Sequence, residues 1–234
     1  MKNLSLTLLF LAAIACAFPS CQTVDIGAEL TKSEAVDLLE KTLADDAGGF
    51  AEYLEDLVQI YESTNDSCTL TGDTTIVHSS TGLTSYSYTS TYNYELNCTS
   101  LVPSTLIVTL NSTGNFDAPR LESTDSGSGV DTLSNLSSSF TEFLVNGVYS
   151  RIGTSISKVA QKGTFSYTMT LTLNNVQVNK STKNIVGGTA EFNISGNSTG
   201  VGSTSFNYIG TVTFSSASTA SVLLQGTNHT ISIQ

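Results

Sequence analysis

The stretch Ser85-Tyr-Ser-Tyr-Thr-Ser-Thr-Tyr-Asn-Tyr-Glu-Leu-Asn-Cys98 decides the fold. Tyr86, Tyr88, Tyr92, Tyr94, Leu96 and Cys98 share one parity, while Ser87, Thr89, Thr91, Asn93 and Asn97 take the other. Successive side chains of a strand point to opposite faces, so this is a half-buried strand with four tyrosines on one surface. Later runs repeat the period: Phe165, Tyr167, Met169, Leu171 and Leu173; Ala190, Phe192 and Ile194; Phe206, Tyr208, Val212 and Phe214; Ala220, Val222 and Leu224; Ile231 and Ile233. The connections at 179–184, 197–203 and 215–218 suit hairpins, which predicts sequential antiparallel strands in a meander. The expected fold class is therefore mainly β, an α+β chain whose meander closes as a barrel or as a two-layer sandwich. Strand faces rich in aromatics argue for a packed core rather than a membrane-spanning barrel.

A helical segment precedes the strands. Thr31-Lys-Ser-Glu34 has the form of a capping box, and Ala35, Leu38, Leu39, Thr42 and Leu43 follow at helical spacing. Gly48-Gly49 interrupts, each glycine disfavouring helix by about 1 kcal/mol relative to Ala. Phe50, Tyr53, Leu54, Leu57, Val58 and Tyr61 then form one apolar stripe, with Glu52, Glu55, Asp56 and Glu62 off it and expected to face water. Residues 31–63 read as an acidic helical hairpin docking on a β domain of residues 67–234.

Charge divides the chain in the same place. Of 20 acidic residues, 12 lie within 25–66, opposed there only by Lys32 and Lys41. The formal net charge is −11, and a chain this acidic lacks the basic patch that neutralises phosphates, so nucleic acid is not an expected partner.

Residues 1–20 read as a secretory signal: Lys2, then an apolar run from Leu4 to Ala17 that is too short to span a bilayer. Small residues before cysteine occur at Ala15-Cys16 and Ser20-Cys21, both loose forms of a lipoprotein signal. Cysteine parity favours Cys21 as the lipid attachment, because it leaves Cys68 and Cys98 as one disulfide. Attachment at Cys16, or plain cleavage after Ala17, are the alternatives. Removing residues 1–20 discards one lysine and no acid, taking −11 to −12. Residues 21–30 would be a tether, and the protein an exported, envelope-bound one, expected at the outer membrane. Cys68 opens the first candidate strand and Cys98 closes the second, in a compartment where disulfides persist.

Candidate chemistry is sparse. His78 and His229 stand in separate Thr-rich strands, and no His-x-x-x-His, Glu-x-x-His or Cys-x-x-Cys spacing supplies metal ligands, so no cofactor is expected. Gly127-Ser128-Gly129 reads as a polar loop rather than a nucleophile elbow. Asp125 and Asp131 flank that loop without matching an EF-hand, and read as solvated. Asp117, Arg120, Glu122 and Asp125 read as decoration of an exposed edge strand. The tyrosine face Tyr86, Tyr88, Tyr92 and Tyr94 is the best candidate binding surface, since tyrosines line small-ligand and carbohydrate sites. The same four would serve equally as core.

Thr31-Lys-Ser-Glu-Ala35, a cysteine after the helical segment, Asn146-Gly-Val-Tyr-Ser-Arg-Ile-Gly153 and Gly188-Thr-Ala-Glu-Phe-Asn-Ile-Ser-Gly196 together resemble exported proteins and lipoproteins of the Bacteroidetes. The resemblance implies export and an envelope location. It carries no activity and no catalytic residues. The expected function is that of a non-enzymatic, lipid-anchored envelope protein whose β domain binds a small ligand, a glycan or a partner protein. A structural surface or adhesion protein without a pocket is the alternative, and a hydrolase with no recognisable motif comes third.

Overall fold

The computed structural model describes residues 30–64, 67–159, 163–199 and 203–234. The expected signal segment, Cys16 and Cys21, the expected point of lipid attachment, lie outside the described residues. Helices α1 (Lys32–Leu43) and α2 (Phe50–Ser63) flank a short 3-10 turn (Asp45–Ala47). Ten strands follow: β1 (Thr71–Ser80), β2 (Ser85–Thr99), β3 (Val102–Asp117), β4 (Leu121–Ser134), β5 (Glu142–Ser157), β6 (Thr164–Asn179), β7 (Ile185–Thr199), β8 (Ser205–Phe214), β9 (Thr219–Leu224) and β10 (Thr227–Ser232).

The capping box starts α1 as its spacing predicts. The Glu34 amide donates to Thr31 Oγ1 at 3.3 Å, and the Thr31 amide donates back to the Glu34 carboxylate at 3.0 Å. Glu34 also accepts from Ser157 Oγ of β5 at 2.5 Å, which ties the start of the helix to the sheet. Between the helices Gly48 sits in the left-handed region at φ 65°, and a Cβ there would lie 2.5 Å from the Tyr88 ring. Only glycine meets both demands.

All ten strands form one sheet in sequence order, each antiparallel to the next. The meander is as the alternation predicts; its closure is not. β1 and β10 are not hydrogen-bonded to each other, so the sheet does not close into a barrel, and among the described residues there is no second sheet to make a sandwich. The helices supply the missing layer. Phe50, Tyr53, Leu54, Leu57 and Val58 of α2 share one core with the inward residues of the strands.

That core requires the sheet to bend. In a flat sheet β2 and β8 would stand roughly 29 Å apart, six spacings of about 4.8 Å. Yet three ring contacts bridge them through α2: Phe214 with Phe50 at 6.3 Å, Phe50 with Tyr53 at 6.0 Å, and Tyr53 with Tyr92 at 6.1 Å. The sheet therefore curves around the helix. Bulges at Asn97/Cys98, Val145/Gly147 and Asn174/Gln177 interrupt the register. The last switches the buried parity of β6 from Leu171 and Leu173 to Val176 and Val178.

The disulfide joins Cys68 to Cys98, pinning the entry to β1 against the end of β2.

Candidate functional site

The tyrosine face of β2 turns inward. Tyr88 and Tyr92 are buried against the helices, while Tyr86 and Tyr94 are half-buried at the margin. The hydroxyls meet carboxylates: Tyr92 donates to Asp56 at 2.5 Å, Tyr86 to Glu52 at 2.8 Å and Tyr88 to Asp125 at 3.1 Å. Burial first, and the Asp56 carboxylate second, push the Tyr92 phenol far above its ordinary pKa, so it stays a donor. Burial does the same to Tyr88.

Register explains how Tyr88 reaches Asp125 from two strands away. One row across the sheet reads Tyr88, Gly114, Asp125, Gly153, Tyr167. Gly114 leaves the space over which the Tyr88 ring lies, and Gly153 lets the backbone approach Asp125 closely. Tyr88 and Tyr167 thus converge on the carboxylate from opposite sides, Tyr167 at 3.0 Å, and Ser123 adds a third hydroxyl at 3.0 Å. A Cβ on Gly114 would stand 2.4 Å from the Tyr88 ring, and one on Gly153 would stand 2.5 Å from Asp125 Cβ.

Arg151 completes the cluster, with its side chain 1 % exposed. Its Nε lies 3.7 Å from Asp125 Oδ1 and donates to Tyr149 Oη at 2.9 Å. One terminal nitrogen donates to Tyr88 Oη at 3.2 Å and the other to the Gly48 carbonyl, while the guanidinium carbon lies 4.6 Å from the Tyr88 ring centroid. A planar, permanently charged fork suits such a divided set of acceptors. It locks the turn between the helices onto the middle of the sheet.

Asp131 lies further along β4. Tyr53 donates to its Oδ2 at 2.5 Å, and Oδ1 is buried without a partner. Burial raises this carboxyl to about 7, against the downward pull of the Tyr53 hydrogen bond. Asp56 forms the outer end of the polar system. His78 Nε2 lies 3.0 Å from Asp56, and its Nδ1 lies 3.1 Å from Glu52.

Several sequence expectations are corrected here. Asp56 does not face water; it is buried because Tyr92 and His78 satisfy it. Residues 125–131 are not a solvated loop but the middle of β4, with both aspartates buried. Gly127 and Gly129 are strand residues too. Asp117, Arg120 and Glu122 surround the β3–β4 turn in the interior of the strand order, not on an edge strand, and Asp125 points away from them. The usable signal for the buried pair was parity, since Leu121, Ser123, Asp125, Gly127, Gly129, Asp131 and Leu133 alternate as one inward face.

The buried cluster leaves no room for a ligand. The void bordering it at Asp56, Tyr53 and Tyr92 holds about 10 Å³, the space of one water. Among the described residues no three His, Cys, Asp or Glu side chains converge as metal ligands. His229, on β10, keeps a buried Nε2 without a partner.

A recess of ligand size lies elsewhere. It has a volume of about 460 Å³ and lies between α1, the β1–β2 turn and the β3–β4 turn. Buried Ala118 and Leu121 give it an apolar floor, and exposed Pro119 and Leu83, the latter 86 % exposed, stand at its mouth. Two ion pairs stand at its rim: Asp37 with Arg120 at 2.9 Å and Lys41 with Asp46 at 3.1 Å.

Fold and site together define a class: an α+β protein in which an open ten-strand antiparallel meander bends around two helices and buries an Arg–Asp–Tyr cluster. Comparison of the chain with family models, with curated proteins and with solved structures finds no match.

Proposed function

We propose that the chain is a non-catalytic, lipid-anchored protein of the cell envelope, attached through Cys21, that takes a small amphipathic ligand in the recess beside α1. The observation that carries this reading is the contrast between the two polar regions. The buried cluster is sealed, with Arg151 and Asp125 held by internal hydrogen bonds, whereas the 460 Å³ recess is open, apolar at its floor and charged at its rim. That volume falls within the usual range for small-molecule sites, with a few polar groups placed to orient the ligand.

Native mass spectrometry of the full-length protein, purified from its own envelope, tests this reading. A small molecule that co-purifies with the wild type and is lost in Leu83→Asp supports it. A wild-type protein that carries nothing counts against it.

One observation favours a second reading, a structural surface role. The outer face of the sheet exposes Val130 directly opposite Val148, with Ile152 and Ile156 further along β5. Loss of cell-surface association in Val130→Lys, with the recess intact, would favour this reading.

A further inference from the structure

The two free edges of the sheet are treated differently. β10 is six residues long, and the first helices cover its end: the Asp45 amide donates to the Ile233 carbonyl, and the Ser232 amide reaches Glu40 of α1. β1 is ten residues long and pairs with β2 in unbroken register. Among the described residues, no hydrogen bond other than the β2 ladder reaches its backbone. Sheet edges are usually blunted by proline, lysine, a bulge or a covering element. β1 has no proline, lysine or bulge, and among the described residues no element covers it.

Its inward side chains point the same way. The inward positions of β2 are mostly buried, whereas Gly72, Thr74, Ile76, His78 and Ser80 of β1 are only half-covered. Helix α2 thus stops short of the edge. Tyr86 meets Glu52 and Tyr92 meets Asp56, so α2 runs parallel to β2 and antiparallel to β1. The flank it presents there is acidic. Glu52 and Asp56 engage His78, the one cationisable side chain of β1, and exposed Glu55 lies close enough to feel Asp45, Asp56, Lys183 and His78. Asp73 adds a negative charge on the outer face of the strand.

We propose that the β1 edge is a docking site for an extended peptide segment rich in lysine or arginine, which adds to the sheet as an eleventh strand. Main-chain hydrogen bonds along Thr71–Ser80 supply the attachment. Inward side chains of the incoming strand lie beside Glu52 and Glu55, which selects basic residues, and its outward ones lie beside exposed Val77, which selects β-branched residues. The site meets the recess beside α1 only at Ser80 and does not depend on it.

The test is fluorescence anisotropy of a labelled, end-blocked peptide of alternating lysine and valine against the full-length chain in detergent. Hydrogen exchange of the complex runs in parallel. Binding is expected, with exchange slowed at the β1 amides. Alternate N-methylation of the peptide along one edge removes ladder donors without touching charge, and is expected to weaken binding by roughly tenfold or more. Replacing its lysines by glutamate is expected to do the same. Glu55→Lys in the protein, an exposed position, should weaken the lysine peptide, while Leu83→Asp in the recess should leave it unaffected. Undiminished binding of the N-methylated peptide would reduce the effect to bulk charge and overturn the proposal. So would absence of binding, protection away from β1, or a β1 edge already protected in a self-associated dimer seen by sedimentation.

Discussion

Tyr88 and Asp125 stand two strands apart with only Gly114 between them in register, yet the Tyr88 hydroxyl donates to both carboxylate oxygens at 3.1 Å. The glycine is what lets the ring lie flat enough to reach. Gly114→Ala places a methyl group 2.4 Å from the ring and 2.2 Å from the Ser87 carbonyl. Overpacking of this kind costs about 1–3 kcal/mol. Urea unfolding should show a loss in that range, and in a Tyr88→Phe background the penalty should persist, because the ring remains.

Arg151 and Asp125 are expected to be far from additive. Arg151→Met leaves a buried carboxylate without its cation and frees the Gly48 carbonyl, a loss of about 3–5 kcal/mol. Adding Asp125→Asn removes the stranded charge and should restore a substantial part of the stability. Equal losses in the single and double variants, measured by denaturant titration, would show that the ion pair is not what holds this region.

Asp131 should make stability fall with rising pH. An unfolded aspartate titrates near 3.9, and burial holds the native carboxyl up at about 7. Between those values the native state binds more protons than the unfolded one. The contribution is therefore full below about pH 4, declines as pH rises and is gone above about pH 7, an amount on the order of 4 kcal/mol. The difference between wild-type and Asp131→Asn stability curves over pH 4–8 isolates it. A constant difference would refute the assignment.

The disulfide closes a loop of 30 residues between Cys68 and Cys98. Chain entropy assigns such a loop about 3.5 kcal/mol, acting through the unfolded state. The Cys68→Ala/Cys98→Ala variant should lose up to that amount in thermal or urea unfolding. Because the bridge anchors the entry to β1, amide exchange should quicken first at that edge.

Much of this was legible in the residues. The parity of Tyr86 through Leu96 identifies the inward face of β2, and the Thr31–Glu34 spacing sets the first turn of α1. The later apolar runs place β6 to β10. The candidate site was not legible to the same degree. Asp125 and Asp131 lie in a Gly- and Ser-rich stretch that looks solvated, and Asp56 lies off the apolar stripe of its helix. A lone carboxylate is costly to bury, so local composition argues for solvent. What reverses the argument is Arg151 together with Tyr88, Tyr167, Tyr53 and Tyr92, all distant in sequence.

Alternation, capping and cysteine position are local properties, each set by neighbours a few residues away, so the chain by itself determined a disulfide-pinned antiparallel meander behind two helices. The tertiary structure alone decided that the sheet stays open and bends around α2, that the outer edge of β1 has no partner among the described residues, and that three aspartates are buried. Period two tells which side chains share a face but carries no information about what covers that face. That depends on long-range register, where one glycine opposite one tyrosine determines whether a carboxylate can leave water.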